Sequence, residues 1–245
     1  MMGEIRDGAE QALGRHPWHV LFFTLLGINA YAITLFTLAS FFIPDLAGRI
    51  ENLRAEDVSL LWLFQVVFAA ALFVHASTWS EKIGAGPFAG RLDVSLKWLI
   101  LAIIMGPIIS LILQNLVFYL LMHADSEAAY TSEATRLMMA PESVGPMMLM
   151  SVLVLAPLVE EVIYRGIGTG YLLARGLPWP LVVTLMSVAF SLQHGQYTLP
   201  ALLSVFLLGL FLGWLRVKSG SIAPAIFAHM AINTHVVIAI SSSSG

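Results

Sequence analysis

Several side chains in the last part of the chain have the types and the spacing to do acid–base chemistry. Glu160 and Glu161 are adjacent, Arg165 follows Glu161 by four residues, His194 follows Phe190 by four, and Asn233 follows His229 by four. On a helix, an i,i+4 spacing puts each pair on one face. Glu161 before Arg165 is the favourable order for a carboxylate and a guanidinium, and pairing would lower the cost of both charges in an apolar setting. Glu160 sits about 100° round the same helix from Glu161, so it can point elsewhere, into a cavity. Pro157 lies one turn earlier, where it can bend the helix and free a carbonyl for water or a ligand.

Hydrolysis of a peptide bond needs a nucleophile, a base and oxyanion stabilisation. The chain has no cysteine, no G-x-S-x-G elbow and no H-E-x-x-H, and Ser151, Ser187 and Ser191 have no base at a telling spacing. Water is the nucleophile that remains. Two ways of activating it stay open. In one, Glu160 is the general base with help from His194, and His229 and Asn233 donate hydrogen bonds to the developing oxyanion. In the other, Glu160, His194 and His229 form a His₂Glu zinc set. A zinc site of that kind lacks a spare base if Glu161 stays paired with Arg165, which favours the metal-free scheme slightly.

These residues must be positioned by elements that cross a membrane. Of the 245 residues, 58% are hydrophobic and only 11% are charged, against about 25% charged in soluble domains; the mean hydropathy is +0.85. A net charge of −3 with basic residues scattered over the chain leaves no patch for nucleic acid. The expected fold is an all-α, polytopic transmembrane helical bundle. A span needs about 20 apolar residues, and candidates lie at about 19–43, 59–80, 96–122, 147–174, 179–195, 199–216 and 222–240. Residues 1–145 then hold three spans and an acidic loop with Asp125, Glu127, Glu133 and Glu142, residues 146–240 form a catalytic core of four helices, and 241–245 is a disordered polar tail. Trp18, Trp62, Trp79, Trp98, Trp179 and Trp214 all fall near span ends, as expected at headgroup level.

Arg6, Arg15, Lys82, Arg91, Lys97, Arg175, Arg216 and Lys218 fall on one side, against Arg49, Arg54 and Arg136 on the other. The positive-inside rule then puts the N-terminus in the cytoplasm and the C-terminus outside. All aspartates lie outside the spans, so an intramembrane aspartyl dyad is excluded. Only Glu160, Glu161 and Arg165 are charged groups deep within one, and such groups usually mark function. At about 1.5 Å per residue, Glu160 lies roughly 22 Å from Arg175 and His194 roughly 25 Å from Leu177, with His229 and Asn233 roughly 12 and 18 Å from Ser221. The four can share one layer. His75 and His235, without polar partners at helical spacing, read as structural.

The runs Glu160-Glu161-Val162-Ile163-Tyr164-Arg165, Phe190-Ser191-Leu192-Gln193-His194 and His229-Met230-Ala231-Ile232-Asn233 resemble E-E-x-x-x-R, F-x-x-x-H and H-x-x-x-N. These are motifs of the CAAX protease and bacteriocin-processing family of intramembrane peptidases, also called the Abi family. Tyr164, Gly166 and the run from Leu208 to Ser221 also look like the family. The resemblance covers about 145–240. It implies that Glu160, His194 and His229 carry catalysis, that Asn233 completes the site, and that Glu161 and Arg165 support it. Family members are often labelled metalloproteases, although a metal-free, glutamate-activated water has also been argued for them. It further implies a membrane-associated or lipidated peptide substrate and a multi-pass protein of a bacterial cell membrane. Two other readings of the same residues are a membrane scaffold or immunity protein that has lost catalysis, and a proton or ion carrier, for which no inverted repeat is visible.

Overall fold

The computed structural model describes residues 66–74, 76–78, 89–91, 93–123, 146–195 and 197–243. They form helices and no strands; Gly90 and Ser221 make one isolated antiparallel bridge. The helices are α1 (Val66–Thr78), α2 (Leu96–His123), α3 (a continuous run from Pro146 to Ala174), α4 (Trp179–Leu192), α5 (Leu199–Ser219) and α6 (Ala223–Ser243). The expected span at 19–43, the acidic loop and His75 lie outside the described residues. Among those described, α2 (over Leu96–Leu116) and α5 are long and apolar enough to cross a membrane. The other expected spans with described residues coincide with helices whose apolar stretches are shorter, Ala223–Ala239 in α6, or, in α3, with an interrupted helix. α6 continues to Ser243, into the stretch expected as a tail.

The core is mainly apolar but also holds polar and charged groups, and the surface exposes large apolar side chains. Ile100, Ile103, Ile104 and Leu111 on α2, and Leu181, Leu185 and Val188 on α4, are exposed, while Glu161, Arg165, Thr169, Ser187 and Arg216 are buried. Apolar side chains outside and polar ones inside suit a bundle whose surroundings are lipid. Without a hydrophobic drive between helices, close backbone approach carries much of the association. α4 packs on α5 where a Cβ at Gly213 would meet Val183 at 2.8 Å, and α2 packs on α6 where one at Gly106 would meet the Ala228 carbonyl at 2.9 Å. Ala102, Leu212, Leu215, Ala225, Ala228 and Ile232 fill the space between α2, α5 and α6.

One end of the bundle carries an amphipathic belt. Trp98 and Trp214 meet edge to face at 5.6 Å, and the Lys218 ammonium lies 4.5 Å from the Trp179 ring centre. These are the ring positions the sequence places at span ends. At the same end, α5 stops at Gly220, whose φ of 73° is left-handed and open to glycine at little cost. The turn is tied to residues 89–91 by Arg91 N–H to Gly220 O at 2.9 Å and Ile222 N–H to Ala89 O at 3.0 Å.

The Gly106 contact gives the fold a direct test. Gly106→Ala puts a methyl against backbone that carries His229 on the next residue, and the clash cannot be relieved by a rotamer change. Thermal unfolding of the detergent-solubilised protein should show a loss of about 1–3 kcal/mol.

Candidate active site

The glutamates sit in the short α-helical segment Ala156–Glu161, between two π-helical segments, Ser151–Leu155 and Val162–Gly168. A π turn holds one residue more than an α turn, and such bulges recur at functional sites because they re-aim side chains. Here they bracket the two glutamates.

Glu161 is fully buried, and one of its oxygens serves two partners. Oε1 accepts from Arg165 Nη1 at 3.0 Å and from His229 Nδ1 at 3.0 Å. A carboxylate has no proton to give, so the Nδ1–H of His229 donates. That fixes the imidazole: Nε2 faces the other way, 3.7 Å from Glu160 Oε2. Arg165 is held as well, donating from Nη2 to the Gly209 carbonyl at 3.1 Å and lying 4.5 Å from the centre of the Phe190 ring. Glu160, with a quarter of its side chain exposed, is the more open carboxylate. Glu161 is paired with Arg165, and Glu160 is turned towards His229 instead.

Phe190 is the wall the site is built on. Its ring meets Tyr164 at 5.4 Å, His194 at 5.0 Å and His229 at 5.7 Å, all edge to face. His194 lies past the end of α4 and donates from Nδ1 to the Phe190 carbonyl at 3.0 Å, leaving its Nε2 to face away. The two imidazoles therefore meet through Phe190. Among the described residues, no three His, Cys, Asp or Glu side chains are gathered so as to hold a metal ion. Glu160 and His229 face each other, but His194 does not close a His₂Glu set with them, so the donors present do not fit the zinc alternative.

Asn233, one turn after His229, donates from Nδ2 to the carbonyl of Val152 at 2.9 Å. Ser187 and Ser191 give their hydroxyl protons to the carbonyls of Val183 and Leu202, both at 2.7 Å. His235 is bonded to Ser110 Oγ across α2 and α6 at 3.3 Å. Two contributors lie in the family-like run from Leu208 to Ser221 but have no site role in the sequence reading. Arg216 counts there as a charge at a span end, yet it is buried and donates from Nε to the Arg165 carbonyl at 3.0 Å. Gly209 contributes only a backbone carbonyl.

Among the described residues the fold is all-helical, with two helices long and apolar enough to cross a membrane and a glutamate–histidine cluster between the helices. Residues 142–235 match the family model described as type II CAAX prenyl endopeptidase Rce1-like, so the resemblance carried by the three motifs and the family found by comparison agree. The family is one of proteases that act on membrane-associated or lipidated substrates. No curated protein and no solved structure matches the chain.

The shared carboxylate makes Arg165 costly to lose. Arg165→Met leaves Glu161 buried without its cation, and thermal unfolding should show a loss of about 3–5 kcal/mol. The double substitution Glu161→Gln with Arg165→Met should be less destabilised than Arg165→Met alone. Additive losses would mean that the two groups do not share one interaction.

Proposed function

We propose that the chain is an intramembrane endopeptidase in which Glu160 and His229 activate a water for attack on a peptide carbonyl. The observation that carries this reading is the 3.7 Å gap between Glu160 Oε2 and His229 Nε2, with Nδ1 of the same ring held by Glu161. The gap is too long for a hydrogen bond. A single water at about 2.8 Å from each atom would fit it, with an angle of roughly 80° at the water oxygen. Glu160 takes the proton as the water oxygen bonds to the carbonyl carbon, with His194 assisting from the edge of Phe190. The same proton is then delivered to the leaving nitrogen as the C–N bond breaks.

With Nδ1–H held by Glu161, the Nε2 of His229 accepts from the attacking water, so the tetrahedral oxyanion needs another donor. Asn233 has a second amide N–H for that oxygen. The brace on Nδ1 is the role the carboxylate plays behind the histidine of a serine protease. No metal is required. The substrate proposed is a lipidated or membrane-bound peptide, and orientation follows the basic residues, with the N-terminus in the cytoplasm of a bacterial cell.

Purified full-length protein should cleave an internally quenched peptide bearing a prenylated Cys four residues from its C-terminus, the C-a-a-X arrangement. Glu160→Ala should lower kcat by about 10²–10⁴-fold with normal insertion and expression. Equal cleavage by both proteins, or none by either with unchanged peptide termini in cell membranes, would reject the proposal in favour of a non-catalytic scaffold. Proton flux in proteoliposomes that Glu160→Gln abolishes, without any proteolysis, would favour a carrier. Activity should also survive chelation; loss on chelation and recovery with zinc would reject the metal-free scheme.

A further inference from the structure

Pro157 leaves a gap in the hydrogen-bond ladder of α3 just ahead of the glutamates. In the π segment Ser151–Leu155, the N–H of Ala156 reaches back five residues to the carbonyl of Ser151. At that spacing the next carbonyl, Val152, would accept from residue 157, which is proline and has no N–H. At the α spacing its donor would be the Ala156 N–H, which Ser151 already holds. The Val152 carbonyl therefore lacks a backbone donor in either register, and at membrane depth a bare carbonyl is expensive. The amide of Asn233 reaches it from α6 at 2.9 Å. The same device recurs beyond the glutamates, where Arg216 Nε donates from α5 to the carbonyl of Arg165, within the second π segment.

We infer that Asn233 is a positioning residue whose side-chain amide replaces the N–H that Pro157 lacks, locking the π turn that sets the direction of Glu160. The inference rests on the reading of Glu160 as the base. Each residue advances a helix by about 100°, so adding or losing one residue from the turn swings Glu160 by about that angle, away from His229 Nε2. The tie also joins two reactive atoms that different helices carry. Asn233 stands one turn from His229 on α6, and Val152 stands ahead of Glu160 on α3. One hydrogen bond therefore references the base to its histidine. A donor placed only for the oxyanion would leave the Val152 carbonyl unserved; the amide has two N–H groups and can do both.

The experiment restores the missing backbone donor. In the full-length protein, Pro157→Ala supplies an N–H to the Val152 carbonyl, and alone it should leave cleavage of the prenylated peptide close to wild type. Asn233→Ala should lower kcat by about 100-fold, the scale of a small misplacement at a reacting centre, with KM little changed, and should lower the Tm. The double substitution should regain a large part of both the kcat and the Tm. A double variant as inactive as Asn233→Ala would overturn the inference and leave Asn233 an oxyanion donor alone. Loss of activity in Pro157→Ala by itself would overturn it too, since the backbone N–H could not then stand in for the side chain. The Tm cycle needs no substrate. If Glu160→Ala cleaves as well as wild type, the proposed function fails, while recovery of Tm in the double variant still decides whether the clamp exists.

Discussion

The structure depends on one buried oxygen. Glu161 Oε1 accepts from Arg165 and His229, both at 3.0 Å, with no exposed surface on the carboxylate or, almost, on the guanidinium. Charges in such a place interact far more strongly than in water, and each is costly to desolvate alone. The pair is held by its neighbours: the guanidinium reaches the Gly209 carbonyl and lies against Phe190, and the imidazole shares Oε1, while Glu161 Oε2 and Arg165 Nε stay buried without a hydrogen-bond partner among the described residues. α3, α5 and α6 meet at this point because Glu161 and Arg165 lie on the first, Gly209 on the second and His229 on the third.

That convergence explains the packing around it. For Arg165 to reach the Gly209 carbonyl, α5 must come close, and α5 is close to α4 as well. A Cβ at Gly209 would meet Ser187 at 3.0 Å. Small residues thus set the helix spacing, and the spacing sets which carbonyls a buried guanidinium can reach. The π segments serve the same end. They expose carbonyls that a regular helix would satisfy internally, and Asn233 and Arg216 use those carbonyls to fix the segment between them. Irregular backbone in a span survives where neighbouring helices re-satisfy it.

The sequence makes the chemistry more legible than the geometry. Glu161 with Arg165 is readable from spacing because i,i+4 pairing is local to one helix. The expected spans at 96–122 and 147–174 coincide closely with Leu96–His123 and with the run from Pro146 to Ala174, because long apolar runs have few alternatives in lipid. His229 to Glu161 is different. The two lie 68 positions apart, and no periodicity links residues on separate helices. The π turns were equally hidden. Pro157 signals a freed carbonyl, but whether water, a ligand or a side chain meets it depends on what α6 brings alongside. Arg216 misleads for a related reason: at a span end, a charge that snorkels to the headgroups and one that turns inward to a carbonyl look alike in sequence.

Adjacent glutamates with different fates follow from the helix itself. Neighbours on a helix differ by about 100° in direction, so once Glu161 faces the guanidinium, Glu160 cannot share it. Glu160 is turned instead towards the far nitrogen of the imidazole whose near nitrogen Glu161 holds. One carboxylate fixes the histidine, and the other faces its far nitrogen and stays a quarter exposed. A carboxylate at 160 alone would stand at i,i+5 from Arg165, off its face of the helix. The Glu-Glu dipeptide is therefore not redundant. Position along the helix decides which carboxylate pairs with the guanidinium and which stays partly open.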